Sequence, residues 1–302
     1  MNKIVSNLNI ADIAKRGLKD GDIIFDGAKR FRVIRYNFLT GNVVLDSYGE
    51  GLIYKFFGPM SHSQRQNLKA RIKILSKAKL SSIVKPMDMI IDSRHPLFFP
   101  KLTGVTTKKI EDMISLDDLS RDWRRDVEYF RALVNTSSEL ERIHNAPQKI
   151  ILSDANFNNV LLQKNWNGLY INPKFIDIDS AGVKGHKTPW RSRYIVSYYD
   201  VIGKKYVPSA NNDRLNYLLQ FLYNIFHIHF GIIFDIKDSD FDSRAERIRS
   251  LKSIRSIFLD LKKGKVPYIP YFYEFLIPSE GKSGTSECSD YTVGDYNRGR
   301  IR

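Results

Sequence analysis

The first hundred residues alternate short apolar runs with polar turns. Runs rich in Ile, Val, Phe and Tyr are bounded by Gly, Asn and Asp, a pattern typical of strands joined by tight turns. The pattern predicts an antiparallel meander at the start of the chain. The predicted strands span residues 22–25, 31–36, 42–45 and 52–57.

A helical period follows the fourth predicted strand. Leu68, Ile72 and Leu75 recur at helical spacing between residues 63 and 77, and cationic residues fill most of the positions between them. This spacing predicts an amphipathic helix that packs its apolar side against the sheet.

Two further strands are predicted after this helix, at 87–92 and 97–102. The polar step at Thr103 and Gly104 then ends the apolar pattern. We therefore expect a first unit, rich in β structure, that comprises residues 1–103.

The pattern becomes helical from about residue 117. An apolar stripe leads to His144, and a strand and hairpin region follows as far as Ile176. Helices are predicted to resume near Asn212 and again at 243–263. The stripe consists of Trp123, Val127, Phe130, Leu133, Val134, Leu140 and Ile143.

These elements predict a second, mainly helical unit at residues 104–278. Residues 279–302 are polar with few apolar anchors, and we expect a disordered tail there. The apolar stretch at 215–236 approaches the length of a membrane span, but it contains Asn216 and Gln220. A buried helix is therefore predicted, and no membrane span.

Charge and cysteine content narrow the classes of function. The 302 residues carry a formal charge of +15 and a single cysteine, Cys288. A single cysteine excludes an intrachain disulfide framework, and the first residues lack the apolar core of a signal peptide, so a cytoplasmic setting is expected. The positive charge favours anionic partners, such as a nucleotide or an acidic protein.

Candidate chemistry lies in three polar residues that punctuate the hairpin region. Asp154 follows the run Ile150-Ile151-Leu152-Ser153, Asn159 stands five residues later, and Asp177 follows Phe175-Ile176. Carboxylate and amide oxygens of this kind can orient a hydroxyl group and hold magnesium against phosphates. Asp and Asn are also common turn residues, so the spacing of Asp154 and Asn159 alone is a weak signal.

Taken with Ile143 and His144 upstream, this order resembles the catalytic and metal-binding loops of the protein-kinase-like superfamily, of an atypical bacterial or phage type. The resemblance implies an α+β, bilobal fold with a small antiparallel N-lobe and a larger helical C-lobe. It also implies ATP and Mg²⁺ as cofactors. Asp154 would be the catalytic carboxylate, and Asn159 and Asp177 the metal ligands.

The resemblance extends to the first unit. Lys55 resembles the strand lysine that neutralises nucleotide phosphates, and the backbone near Lys101 and Leu102 resembles the hinge on which adenine lies. Gly41 would stand in the phosphate-covering loop. In the second unit, Asp213 resembles the aspartate that braces the catalytic loop from the central helix.

The sequence also departs from the family pattern. No Gly-x-Gly-x-x-Gly occurs, and the helix after Lys55 contains no glutamate, so that Arg71 or a neighbour stands where the partner of the lysine is expected. Asp-Ile-Asp, ending at Asp179, replaces Asp-Phe-Gly, and Asn156 stands where protein-serine kinases usually place a lysine. Asp179 would either assist Asp177 or face solvent.

Several functions remain open at this point. The resemblance implies a phosphotransferase with an alcohol acceptor, foremost an atypical protein serine/threonine kinase, with a small-molecule kinase as an alternative. The missing glutamate favours a pseudokinase that acts as a regulatory binding module. A less favoured hypothesis is a nucleic-acid-binding protein that uses the cations of residues 244–265 and three nearby aromatic residues, Tyr268, Tyr271 and Phe272.

Overall fold

The computed structural model describes residues 3–6, 19–26, 29–37, 42–92, 102–122, 125–188, 191–228 and 232–275. They form an α+β chain whose sheets are almost entirely antiparallel. The chain divides into two compact units between Glu111 and Asp112. Each unit has its own sheet.

The first unit is built on a seven-stranded sheet with one flanking helix. The strand order is β1-β6-β7-β5-β4-β3-β2, and every neighbouring pair is antiparallel except β1 and β6. The predicted meander is therefore confirmed as β2 to β5. The elements are β1 (Lys3–Ser6), β2 (Ile23–Asp26), β3 (Lys29–Asn37), β4 (Asn42–Ser47), β5 (Leu52–Phe56), α1 (His62–Leu75), β6 (Pro86–Asp92) and β7 (Leu102–Lys108).

Alternation along the strands decides which face of this sheet is buried. In β4, Val43 and Leu45 are fully buried, whereas their neighbours on the strand are partly exposed. Leu45 pairs across the sheet with Tyr54, and Val43 pairs with Phe56. Because paired residues share one face, these four side chains form one apolar cluster.

Helix α1 confirms the helical period read from the sequence. Ser61 caps it, since the Ser61 hydroxyl accepts from the Gln64 N–H and the Gln64 side chain accepts from the Ser61 N–H at 2.8 Å. Leu68 and Ile72 pack with Met89 and Val105 of the sheet.

The predicted end of the first unit at Thr103 and Gly104 is corrected by the structure. Both residues lie inside β7, where Gly104 pairs with Phe56 on one side and Ile90 on the other. A Cβ atom at Gly104 would overlap the backbone carbonyl of Lys55. This glycine therefore permits close packing of two central strands and does not mark a turn. The strand predicted at 97–102 lies outside the described residues except for Leu102.

The second unit combines a three-stranded antiparallel sheet, in the order β10-β9-β8, with a group of helices. Its elements are β8 (Met113–Ser115), α2 (Leu116–Arg121), α3 (Asp126–Asn145), β9 (Val160–Lys164), β10 (Tyr170–Phe175), α4 (Arg193–Val201), α5 (Ala210–Phe226), α6 (Asp238–Ala245) and α7 (Arg249–Lys262).

One predicted helix is two helices in the structure. The segment 243–263 is interrupted at Ile248, whose backbone is extended (φ −123°, ψ 107°). The Ile248 side chain is buried. The break in the helix therefore lets this side chain enter the core, whereas a continuous helix would point it in another direction. A periodic pattern alone does not reveal such an interruption.

The first part of the long apolar stretch, residues 215–226, lies in helix α5, and the predicted buried helix is confirmed for those residues only. Most of its side chains are buried, and it ends at His227 in a left-handed conformation. Among the described residues, no helix has the length and apolar character needed to cross a membrane. The predicted tail at 279–302, with Cys288, lies outside the described residues.

Candidate functional site

A β-hairpin positions two of the three candidate residues. Val160 at the start of β9 pairs with Phe175 at the end of β10, and the Ile176 N–H donates to the Asn159 carbonyl oxygen at 2.9 Å. This register places Asn159 and Asp177 together at the open end of the hairpin. The apolar residues that the sequence places between them therefore fix their spacing.

Asp154 completes the group. The Asn159 side-chain amide donates to the Asp154 carbonyl oxygen at 3.0 Å, and Asp154, Asn159 and Asp177 line one narrow cleft with Leu152 and Tyr217 among the apolar residues around it. The three side chains are partly exposed, whereas Ser153, Ala155, Val160 and Ile178 beside them are buried. The structure thus brings together the three residues that the sequence predicted as a group.

The Asp154 carboxylate is held by a neutral donor. The Asn156 amide donates to Asp154 Oδ1 at 2.5 Å, and the Ser192 hydroxyl donates to Asn156 Oδ1 at 2.8 Å. The Ser192 N–H also donates to the Ser153 carbonyl oxygen at 3.0 Å. Because Ser192 uses the oxygen of Asn156, it orients the amide nitrogen toward the carboxylate.

Two residues of the cleft region adopt a left-handed backbone. Ser153 has φ 60° and Asp177 has φ 58°, a conformation that few residues other than glycine occupy. The Asp177 carbonyl oxygen accepts from the Ser180 hydroxyl at 2.8 Å, which helps to hold this turn. Such backbone conformations cluster at functional sites.

The structure distinguishes Asp177 from Asp179. Asp177 lines the cleft, whereas Asp179 is buried within a short 3-10 turn, Ile178–Ser180. Two alternatives were expected for Asp179: it would assist Asp177, or it would face solvent. Because its side chain is buried, the second alternative is wrong. In the 3-10 turn, successive side chains point in different directions around the turn axis. In a strand they would alternate between two faces, and Asp179 would lie on the same face as Asp177.

Asp213 braces the loop that carries Asp154, as the resemblance implied. Its carboxylate accepts the N–H groups of Leu152 at 2.7 Å and Ser153 at 2.9 Å, and His144 Nε2 lies 3.0 Å from Asp213 Oδ2. Asp213 stands in the first turn of α5, and its side chain is almost completely buried. Because His144 lies on α3 and Asp213 lies on α5, their contact joins these two helices. His144 Nδ1 also lies 3.0 Å from the Tyr271 hydroxyl.

Two further residues of α5 hold the same loop, and the sequence interpretation missed their role. The Asn216 and Gln220 amides donate to the Ala155 carbonyl oxygen at 2.6 and 2.9 Å, and the Phe157 N–H donates to Gln220 Oε1 at 2.8 Å. Asp213, Asn216 and Gln220 are spaced by three and four residues. Residues at this spacing lie on one face of a helix. Three polar residues on one face of an otherwise apolar helix are the signal that could have revealed these hydrogen bonds to the loop.

The predicted nucleotide-binding residues lie in the first unit. Lys55 lies on β5, paired with Val44 and Val105, and its ammonium group lies 5.8 Å from the Phe57 ring centroid. No carboxylate occurs on α1, where Arg71 is buried. Lys55 thus makes a cation–π contact with Phe57, and α1, where the family pattern places a glutamate, supplies no carboxylate.

The other predicted nucleotide-binding positions are only partly described. Leu102 opens β7, and its carbonyl oxygen accepts from Arg65 Nη1 at 2.5 Å, so this acceptor is already used within the unit. Gly41 and Lys101 lie outside the described residues.

The donor set of the cleft fits magnesium in kind. Asp177 offers a carboxylate, and Asn159 offers an amide oxygen because its nitrogen is the donor to Asp154. Mg²⁺ prefers oxygen ligands and is usually held by one or two carboxylates together with water and substrate phosphates. Among the described residues, no group of three or more His, Cys, Asp or Glu side chains is arranged to hold a metal by itself. Asn159 and Asp177 are the residues of this cleft that could hold such an ion.

The structure divides the aromatic residues of the nucleic-acid hypothesis, because Tyr268 is 65% exposed while the other two are not. Tyr271 and Phe272 are buried, so they cannot stack on bases. Arg255 pairs with Asp242 at 2.8 Å, and Lys262 pairs with Asp238 at 2.6 Å. These ion pairs reduce the positive charge that α7 presents.

No protein-family model matches the chain, and no curated protein matches it significantly.

Proposed function

We propose that the protein is an ATP- and Mg²⁺-dependent phosphotransferase of the protein-kinase-like superfamily, with an alcohol group as acceptor. The observation that carries the proposal is the convergence of Asp154, Asn159 and Asp177 on one cleft, with Asp213 bracing the backbone immediately before Asp154. The α+β architecture is compatible with the bilobal fold of that superfamily.

In this proposal each residue has a defined task. Asp154 orients the acceptor hydroxyl and takes up its proton, while the Asn156 amide keeps the carboxylate in one orientation. Asn159 and Asp177 hold the magnesium ion, which supplies neutralisation of charge on the nucleotide phosphates. Lys55 of the first unit is assigned, from the resemblance alone, the task of neutralising a nucleotide phosphate.

The acceptor favoured by the proposal is a protein serine or threonine hydroxyl. The Asn156 amide, a neutral donor where protein-serine kinases usually place a lysine, holds the Asp154 carboxylate in one orientation, and a hydroxyl group can then reach it by hydrogen bonding. A small-molecule alcohol remains the alternative acceptor within the same chemistry.

A second candidate function, a pseudokinase, is favoured by one observation. Helix α1 carries no carboxylate to position Lys55, and the charged residue that is buried on that helix is a cation, Arg71. In this alternative the protein binds the nucleotide with magnesium and transfers no phosphate.

The test combines turnover with nucleotide binding. Purified protein is incubated with γ-labelled ATP and Mg²⁺, with itself and a generic protein substrate as acceptors, and the thermal unfolding temperature is measured with and without Mg²⁺–ATP. We expect transfer to fall by about 10³-fold in Asp154→Asn. Asn158→Ala, an exposed change in the same loop, serves as the matched control.

Asp177→Asn separates the two candidates further, because asparagine tolerates the left-handed backbone of Asp177 while it removes the charge. A thermal shift that disappears in this variant, without phosphate transfer in the parent protein, would select the pseudokinase. Absence of both transfer and a thermal shift would refute metal–nucleotide binding altogether.

A further inference from the structure

A basic groove lies in the first unit, on residues that the proposed function does not use. It is a cavity of about 710 Å³ between the C-terminal end of α1, the loop that follows and the start of β6. Three lysines, Lys73, Lys77 and Lys85, line it together with apolar residues of β6. The apolar lining residues are Pro86, Met87 and Met89.

Charge along this part of the chain has one sign. Residues 51–87 contain eight Lys and Arg and no Asp or Glu. Within the described chain, no carboxylate forms a salt bridge with Lys73 or Lys77, and both side chains are exposed. Asp88 is the single acidic residue of the lining, and its carboxylate is within 3.5 Å of the Thr106 hydroxyl. The groove therefore keeps a net positive charge toward solvent.

Part of the groove is held in place by the fold. The Lys85 ammonium donates to the Ala78 carbonyl oxygen at 2.9 Å, which ties the loop after α1 to β6. Met89 is buried beneath the groove, whereas Met87 remains 45% exposed. An exposed methionine between cations offers a polarisable, adaptable apolar contact to an incoming side chain.

We infer that this groove binds an acidic peptide segment of a partner protein, one that carries an apolar side chain among its carboxylates. The carboxylates contact Lys73, Lys77 and Lys85, and the apolar side chain contacts Met87 and Pro86. Among the described residues that line the groove none is aromatic, so they offer no stacking platform of the kind that single-stranded nucleic acid uses. For that reason the peptide is favoured over nucleic acid.

The experiment measures fluorescence anisotropy of labelled probes with the full-length protein at two salt concentrations. The peptide probe alternates Glu and Leu over ten residues, an all-Glu peptide of equal length lacks the apolar component, and an oligodeoxythymidine represents nucleic acid. We expect the Glu–Leu peptide to bind more tightly than either of the other probes, with an affinity that falls as salt rises.

Variants locate the binding. The double substitution Lys73→Glu/Lys77→Glu should weaken Glu–Leu binding by about tenfold or more. Met87→Gln should weaken it by about threefold without altering the affinity of the all-Glu peptide. Lys79→Glu is the matched control, since Lys79 is an exposed lysine of the same segment outside the groove lining.

Three outcomes would overturn the inference. The first is no measurable binding of the Glu–Leu peptide. The second is equal weakening by Lys79→Glu and by the double substitution, which would mean diffuse attraction to a cationic surface. The third is tighter binding of the oligonucleotide, which would assign the groove to nucleic acid. Thermal unfolding of each variant confirms that the surface substitutions leave the fold intact.

Discussion

The carboxylate of Asp213 accepts the backbone N–H of Ser153 at 2.9 Å, although the two residues are 60 positions apart in the chain. Through this bond the central helix of the second unit fixes the left-handed turn at Ser153 that immediately precedes Asp154. The loop that carries the candidate catalytic residue is thus held by helix α5, from which Asn216 and Gln220 also bond to it.

Replacing Asp213 tests that brace. Asp213→Asn keeps the size of the side chain but leaves one acceptor oxygen where two N–H groups and His144 converge. We expect the free energy of unfolding to fall by about 3 kcal/mol, because a buried charged hydrogen-bond network loses its acceptor. Urea unfolding followed by circular dichroism measures this. Asp200→Asn, an exposed change on α4, should alter the stability by less than about 0.5 kcal/mol; equal losses in both variants would argue against the brace.

Gln220 gives a second, local test. Gln220→Leu fills the same space but leaves the Phe157 N–H without its acceptor. A buried unsatisfied N–H costs about 1–3 kcal/mol, so we expect a loss of that size and faster hydrogen exchange at Phe157. Gln163→Leu, an exposed change on β9, is the control. Unchanged exchange at Phe157 in Gln220→Leu would show that the loop holds its conformation without this residue.

Gly104 tests the packing of the first unit. Gly104→Ala places a Cβ against the Lys55 carbonyl and close to Ile90 Cδ1. We expect about 2–3 kcal/mol of destabilisation, since the conflict is with backbone in a central strand and only the side chain of Ile90 can move. Thermal unfolding measures it. Gly49→Ala is an informative comparison, because Gly49 has open space around it but a positive φ, so that its cost is conformational and close to 1 kcal/mol.

The pair Lys29 and Glu50 tests pH dependence in the first unit. The two side chains lie 2.8 Å apart, and the hydrogen bond from Lys29 lowers the pKa of Glu50 from its usual value of 4.5. A carboxylate with a lowered pKa contributes stability that is present above its unfolded pKa and is lost as pH falls through the folded pKa.

Both members of that pair are partly exposed, so the coupling energy at pH 7 should be below about 1 kcal/mol. A double-mutant cycle with Lys29→Met and Glu50→Gln measures it by urea unfolding at neutral pH and below pH 4. The coupling should vanish at the lower pH, and a coupling that persists there would require a contact other than the ion pair.

Local sequence patterns predicted much of the secondary structure. The meander, helix α1 and the buried helix α5 each arise from a period that neighbouring residues impose on one another. Patterns failed where a distant backbone decides the outcome. In the sequence, Gly104 looks like a turn residue, yet it lies in a strand. The position holds a glycine because the Lys55 carbonyl oxygen approaches too closely for any side chain.

The site shows the same division. Asp154, Asn159 and Asp177 were nominated as a group by their resemblance, together with Ile143 and His144, to kinase loops, and the apolar runs between Asn159 and Asp177 form the hairpin that brings these two together. Their phosphoryl-transfer role stays a prediction. The sequence did not reveal that Asn216 and Gln220 hold the loop, because their partners are more than sixty residues away. The spacing of these two residues has meaning only once α5 is known to pass beneath the loop.

The sequence by itself determined whether most segments form strands or helices, and which polar residues lie at the ends of the hairpin. Both properties depend on near neighbours along the chain. Only the tertiary structure decided that Asp179 is buried while Asp177 lines the cleft, that a helix amide grips Ala155, and that three lysines border one groove. These outcomes depend on contacts between residues far apart in the chain, and a pattern of periods carries no record of such contacts.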